Sequence, residues 1–499
     1  MKRIIQKAIS TALISVMALS FASCSQTDVS QTTPVTEQSE QSGQSDATDE
    51  EPDVTTITFA VPEYCRIDDK NLKLFNDELV KDGYKYRLQV NTFADNVEDQ
   101  EYYKSIENEL KSGKADVAFL GEDDGSSGLI DLFNSGSLLD IDEVISSDKG
   151  KALYEAFPKT FWERVKFNGH TYSIPSAIPV KVGVFAAFNK NYVSDEVIEN
   201  WDGSLEGIYK IIKNTKWDDE KTPRLQYLIS YNDFGNMIGC DIQAGLLYDY
   251  DTMRIENPLE SEKFISYIKL LNQMKTDGFI PKSVSYYANT AYDDEKDNLE
   301  SGKFLVVLAA GEPGEYLLKD NICIKQVPQC LPSMIATSIG ISKNTTNLDA
   351  VIEFLGLLYG EEKYGNLLLY GKLNEDYKLK DGYVADMDGT ERQYFYNYYT
   401  KSSLNLFIYT HPVNGEDFVN NRKEAYFSYY DSMTLSPFAG FHPINDKRGV
   451  ISQDFDEFMD CLTSNNFDEI VRKYSAKLKA DGMDEYLSSA RKQWEEYNK

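Results

Sequence analysis

From Thr55 onward, short runs rich in β-branched and aromatic residues alternate with stretches whose apolar positions recur at helical spacing. Thr56 to Val61 (TITFAV) predicts a strand, Leu72, Phe75 and Leu79 one face of a helix, and Arg87 to Phe93 (RLQVNTF) a second strand. Tyr102 to Leu110 is helical in pattern, and the continuous apolar run Asp116 to Leu120 (DVAFL) predicts a third, buried strand. Strand, helix, strand, helix, strand implies a parallel sheet covered by helices, the α/β class. Ligands in such sheets sit beyond the carboxyl ends of the strands. The loops to watch therefore follow Val61 (PEYCR), Phe93 (ADN) and Leu120 (GEDDG).

The pattern repeats between Tyr192 and Pro332: a helix over Leu205 to Ile212, a strand over Leu225 to Ser230, a long helix from Ser261 to Met274 and a strand from Phe304 to Ala309. This is a second α/β lobe. Thr346-Asn347-Leu348-Asp349 fits a capping-box start ahead of Val351, Phe354, Leu355 and Leu358 on one face. The last hundred residues are mainly helical. Phe467, Ile470, Val471, Tyr474 and Leu478 form one stripe, Asp481-Gly482 breaks it, and Met483, Leu487, Ala490 and Trp494 form another, each reading as core packing.

Length and charge narrow the function. The 499 residues suffice for two to four domains, and 81 acids against 51 bases give a net charge of −30. Such a chain is a poor partner for nucleic acid, whose phosphates need clustered Lys and Arg. With 41% hydrophobic residues it is no wholly disordered chain, and its negative mean hydropathy excludes a polytopic membrane protein.

Lys2, Arg3 and Lys7 precede the apolar run Ala12 to Phe21 with no acid among residues 1–23, the layout of a secretory signal peptide. Phe21-Ala22-Ser23-Cys24 resembles the lipobox of bacterial lipoproteins, with Phe where Leu is usual. That resemblance implies cleavage before Cys24, a diacylglycerol on its sulfur, and a protein held on the extracellular face of the cell membrane by the lipid alone. Loss of the three leader bases moves the net charge from −30 to −33. Residues 24–54 then comprise the lipidated Cys and a linker dominated by Ser, Gln, Thr, Asp and Glu, too polar to order itself. The remaining cysteines, at 65, 240, 323, 330 and 461, are odd in number. Cys323 and Cys330 are spaced to meet across a hairpin, isolated small hydrophobes being the favoured reading, and no spacing fits a zinc site.

Several phrases line up in order with one family. Phe167 to Pro175 (FNGHTYSIP) looks like the segment before the first interlobe crossing in extracellular solute-binding lipoproteins of ABC importers, in the carbohydrate-binding, family 1-like branch. Val182 to Tyr192 (VGVFAAFNKNY) resembles the crossing strand, and Ile339 to Asn344 (IGISKN) the return into the first lobe. Leu367 to Gly382 (LLLYGKLNEDYKLKDG) is similar to a family phrase, with Lys372 and Leu373 replacing its usual residues. Ser436 to Phe441 (SPFAGF) and the tail from Tyr474 to Trp494 resemble the extra carboxyl-terminal domain of some members.

The resemblance implies a periplasmic-binding-protein-like fold: two α/β lobes joined by hinge strands, with a helical C-terminal region. Lobe 1 would comprise residues 55–183 and 336–400, lobe 2 residues 184–335 and 401–499. It further implies a monomer that shuts around an oligosaccharide and delivers it to separate ABC permease subunits. A binder of peptide or another small polar solute on the same fold, or a surface glycoside hydrolase, are the competing readings.

A sugar asks for carboxylates or amides around its hydroxyl rim and flat rings for its CH faces. The chain holds 34 Tyr, 25 Phe and 4 Trp, most of which must be core. The ligand-binding candidates are Glu63, Tyr64, Glu122, Asp123, Asp124, Tyr231, Asn232, Asp233 and Glu312 beside strand ends, and Trp201 with Asp202 at the entry to lobe 2. Phe438, Phe441 and His442 around the Gly440 turn would add a wall, and Tyr172 and Pro175 mark the hinge. No Gly-x-Ser-x-Gly elbow and no His-Glu-x-x-His helix exists, so no catalytic residue, enzyme activity, cofactor or metal is expected. Asp386-Met387-Asp388-Gly389 reads as a turn, its Gly two positions early for an EF-hand.

Overall fold

The computed structural model describes residues 54–93, 100–121, 127–175, 184–217, 224–229, 234–280, 299, 301–310, 317, 319–327, 330–331, 338–380, 383–389, 434–462 and 466–499. The first sheet opens with β1 (Thr55–Pro62), α1 (Asp69–Lys81), β2 (Tyr86–Phe93), α2 (Gln100–Lys111), β3 (Val117–Gly121) and α3 (Ser127–Asn134). β1 pairs in parallel with β2, from Thr55↔Tyr86 to Pro62↔Phe93, and with β3 at Phe59↔Val117, the parallel arrangement the alternation predicts.

Alternation along these strands splits the apolar side chains between two cores. Ile57, Phe59, Val61, Val117 and Phe119 face one core, shared with Phe75 and Leu79 of α1. Ala60, Ala118 and Leu120 face the other, shared with Tyr102, Ile106 and Leu110 of α2 and Leu129 and Phe133 of α3. Both faces being covered is why DVAFL carries no polar alternation after its first residue. α1 starts where Asp68 Oδ1 accepts from the Lys70 and Asn71 amides at 2.9 and 3.3 Å.

The chain then forms a two-residue hairpin, β4 (Lys166–Phe167) and β5 (His170–Thr171), and β6 (Ser173–Pro175). Next come β7 (Val184–Asn189), α4 (Leu205–Asn214), β8 (Leu225–Leu228), the meander β9 (Cys240–Gln243), β10 (Leu246–Asp249) and β11 (Arg254–Glu256), and α5 (Glu262–Thr276). β12 (Val306–Ala310), β13 (Ile322–Gln326) and β14 (Cys330–Leu331) follow. The second sheet has the order β13-β7-β12-β8, with β12 parallel to β8 and antiparallel to β7. β15 (Ser338–Ile341) returns to the first sheet between β3 and β6, antiparallel to both, giving the order β2-β1-β3-β15-β6.

After β15 come α6 (Leu348–Gly360), α7 (Glu362–Tyr370) and the hairpin β16 (Lys378–Lys380) and β17 (Tyr383–Ala385). The capping box expected at Thr346–Asp349 does not form. α6 begins one residue later, its cap residue Asn347 makes no side-chain cap bond, and Asp349 pairs instead with Lys149 at 2.5 Å. The Asp386–Gly389 stretch is a turn, closed by the Gly389 amide donating to the Asp386 carbonyl at 2.8 Å, and Lys378 Nζ donates to the Met387 carbonyl at 3.0 Å.

β18 (Thr434–Leu435) pairs in parallel with β14. α8 (Arg448–Cys461), α9 (Phe467–Ala480) and α10 (Met483–Tyr497) close the chain. Their apolar faces join the core of the second sheet: Ile451, Phe455 and Phe458 of α8, Tyr474 and Leu478 of α9, and Met483, Leu487, Ala490 and Trp494 of α10 are buried with Phe188, Leu247 and Phe264. α8 is seated closely. At Gly245, in the β9–β10 turn with φ +75, a Cβ would lie 2.8 Å from Ile451 Cγ2 and 3.1 Å from the Ile451 carbonyl oxygen. Cys323 is not joined to Cys330 across a hairpin, and Cys65 and Cys240 are buried.

Candidate functional site

Strand register sets out where the chain passes from one sheet to the other. Pro175, Ser338 and Gly121 lie side by side across β6, β15 and β3, so the two crossings between the sheets, one after Pro175 and one before Ser338, meet the first sheet beside the end of β3. On the second sheet, Val184 pairs with Ala310, and Ala309 pairs with Leu228. The carboxyl ends of β8 and β12 therefore share one edge with the point where the first crossing arrives. The strand ends that precede the candidate loops of both sheets thus flank the crossings, where an enclosed solute would be held.

The individual candidates fall into three groups. Glu122, Asp123, Asp124, Tyr231, Asn232, Asp233 and Glu312 lie outside the described residues, as does Cys24. Glu63 stands in a single helical turn, Glu63–Cys65, directly beyond β1, half-exposed and 3.6 Å from Arg66 Nη1. Tyr64 shares that turn, its side chain being outside what is described.

Trp201 and Asp202 sit elsewhere. Trp201 packs edge-on against Phe188 at 5.2 Å, and Phe188 pairs with Val306, toward the end of β7 away from Val184. The Trp201 indole donates to the Ser204 carbonyl at 2.9 Å. Asp202 Oδ1 accepts from Ser204 N and Oγ at 2.9 and 2.6 Å, bonds that hold its carboxyl below the usual range, while Ser204 Oγ accepts from the Gly207 amide to cap α4. Their groups are engaged in starting a helix, and the structure does not bring them beside the crossings.

Phe438 and Phe441 are sealed in the core, with ring centroids 4.4 and 5.1 Å from Trp494. As they stand, neither offers a ring face to a solute. His442 is buried and stacked on Phe167 at 5.9 Å with planes 14° apart. Tyr172 is half-buried against Phe133, Phe167 and His170, and burial raises its phenol. Pro175 is the last paired residue before the first crossing.

Among the described residues, the carboxylates of Asp140 and Asp142 and the imidazole of His170 bring ligand atoms within 4.8 Å of one another. His170 Nδ1 and Asp140 Oδ2 share a hydrogen bond of 2.9 Å, and Asp142 Oδ2 lies 3.7 Å away, so the imidazole is already engaged by carboxylate. Asn168, which bonds to the C-terminal region at Gly440 and His442, is not among the sequence-derived candidates. The Asn168-Gly169 dipeptide between two short strands was the available signal, being the commonest composition of a tight hairpin.

No family model matches the chain. A carbohydrate ABC transporter substrate-binding protein of Streptococcus pneumoniae is 22% identical over 437 residues, covering 79% of this chain and 87% of that relative. Among solved structures, the N-glycan transport solute binding protein NgtS of S. pneumoniae superimposes with a TM-score of 0.60 at 20% identity, over 89% of this chain and 99% of NgtS. A solute-binding protein of Bifidobacterium longum infantis described as binding human-milk oligosaccharides gives 0.57 at 16% identity, with coverage of 89% and 99%. The fold is that of the solute-binding proteins of ABC importers, two α/β lobes with a helical carboxyl-terminal region. Among the described residues no helix is long and apolar enough to cross a membrane.

Proposed function

We propose that this protein captures an oligosaccharide between its lobes and delivers it to an ABC permease on the extracellular face of the membrane, without breaking a bond of the ligand. In this reading residues 55–183 and 336–400 form lobe 1, residues 184–335 and 401–499 lobe 2, and the protein acts as a monomer. The observation that carries the reading is the register just described, which gathers strand ends of two separate sheets around the crossings. Ligand groups would come from Glu63, Tyr64, Glu122, Asp123, Asp124, Tyr231, Asn232, Asp233 and Glu312.

The sugar class rests on the relatives, since NgtS structures exist in complex with Man5GlcNAc and with Man1GlcNAc. Those two superimpose at 0.50 and 0.53. Closure on a bridging ligand is a population shift paid for by contacts made only in the closed form. Attachment would be through lipid on Cys24, which intact-mass measurement of membrane-extracted protein tests directly: the mature chain should begin at a diacylglyceryl cysteine.

The ligand is tested by calorimetry and thermal shift against Man5GlcNAc, Man1GlcNAc, milk oligosaccharides and short peptides. At least one glycan is expected to bind, and at one hundred times its Kd to add about 2.7 kcal/mol of stability. Peptide binding without glycan binding would overturn the sugar reading, and new reducing ends after overnight incubation would overturn the non-enzymatic one.

A further inference from the structure

The β4–β5 hairpin, whose Phe167 packs in the core of α2 and α3, touches the C-terminal region that packs with the second sheet. Its turn places Asn168 and Gly169 at φ +49 and +90, two successive left-handed residues that make a stiff two-residue hairpin. The Asn168 amide donates to the Gly440 carbonyl at 2.7 Å, and the His442 amide donates to Asn168 Oδ1 at 3.1 Å. Rings continue the contact: Phe133 of α3 stacks on Phe167 at 5.1 Å, and Phe167 on His442 at 5.9 Å, both at 14°. Gly440, at φ +79, allows the approach, since a Cβ there would lie 3.2 Å from Lys166 Cβ and from the Tyr497 hydroxyl.

Each half of this contact is anchored on its own side. Phe133 and Phe167 belong to the core of α2 and α3, and Phe438, Phe441 and Trp494 to the core of the second sheet. The contact also lies close along the chain to the crossings. The hairpin leads through Tyr172 into β6, which ends at Pro175, and residues 436–442 follow directly on β18, which pairs with β14 just ahead of the second crossing.

We infer that the Asn168–Gly440–His442 clasp is the pivot of the interlobe hinge. A contact near a rotation axis moves little for a given turn, so two hydrogen bonds and a ring stack can persist while the lobes swing, fixing the axis and limiting the spread of ligand-free orientations. The inference rests on the proposed lobe closure. Through α3, which begins at Ser127 directly after the acidic loop, it also connects a candidate ligand segment to the pivot.

Four variants of the full chain test it. Asn168→Gly keeps the left-handed turn and removes only the side-chain acceptor, whereas Asn168→Asp retains one. His442→Ala removes the stack and His442→Phe retains it. Two readouts need no ligand: hydrogen exchange at the Asn168 and His442 amides, and interlobe distances between spin-labelled noncanonical residues at exposed Lys73 and Lys213, which leave the native thiols alone. In Asn168→Gly, exchange at the His442 amide is expected to rise about three- to tenfold, the worth of one hydrogen bond. The distance distribution should broaden, and the Asp and Phe variants should keep the wild-type distribution. If exchange rises but the distances superimpose on wild type, the clasp is no pivot. If a bound glycan deprotects the two amides, it is a latch that opens on closure, and the inference fails. Absence of glycan binding would sink the proposed ligand and leave the ligand-free distances to judge the pivot.

Discussion

Phe438→Ala is expected to destabilise the protein by about 3–5 kcal/mol, the cost of emptying a fully buried aromatic site that neighbours refill only in part. The ring is 0% exposed, lies 4.4 Å from Trp494 and meets Tyr248 edge-on at 5.2 Å. It fastens the 436–442 turn to α10 and to the β9–β11 meander at once. Urea unfolding reads the loss directly. The variant also separates two roles that an aromatic residue in a sugar-binding chain can play. A ring stacked on a sugar would, when removed, weaken glycan binding and leave the unfolding midpoint in place. A core ring does the reverse, and a midpoint within experimental error of wild type would return Phe438 to the list of ligand contacts.

That choice was beyond the sequence, because Phe in a turn satisfies a core and a binding wall equally well and only burial separates them. What periodicity did carry was the run Thr56 to Val61, which predicts a strand and is found as β1, with Ile57, Phe59 and Val61 in one core and Ala60 in the other. The stripes Tyr474–Leu478 and Met483–Trp494 likewise pack as read. Elements made by distant pairing were harder. β15 slots between β3 and β6, partners more than 150 residues upstream, and it was legible only through the family resemblance. The β9–β11 meander is built of strands of three or four residues, too short for alternation to stand out.

The candidate site divides along the same line. Loops at strand ends follow from topology, which the parallel pattern supplies, and Glu63 is found directly beyond β1. Trp201 and Asp202 are candidates by residue type at a lobe entry, and residue type does not say that an indole will donate to Ser204 and a carboxylate will start a helix turn. The Phe133–Phe167–His442 column joins residues from three separated segments, so no window of sequence contains it.

Lys275 should make the stability of this chain rise between about pH 8 and 10.5, relative to a Lys275→Met variant, by on the order of 2–3 kcal/mol. The residue lies near the end of α5 in line with the buried positions Phe264, Tyr267, Ile268, Leu271 and Met274, and it is itself buried. Burial strips water from the ammonium and pushes its pKa down to about 8. At pH 7 the group is charged in both the folded and unfolded chain, so the whole cost of burying the charge is present. As pH climbs through about 8 the folded protein releases that proton, while the unfolded chain holds it until near 10.5; the unfolded state then binds more protons, and stability rises with pH. Methionine keeps the apolar stem and has nothing to titrate. Urea titrations of both proteins at pH 7, 9 and 10.5 give the test, because the tyrosines, the other lysines and any packing offset cancel in the difference. A difference that stays flat across that range would mean the folded and unfolded chains release the Lys275 proton together, and burial would then not be what sets its charge.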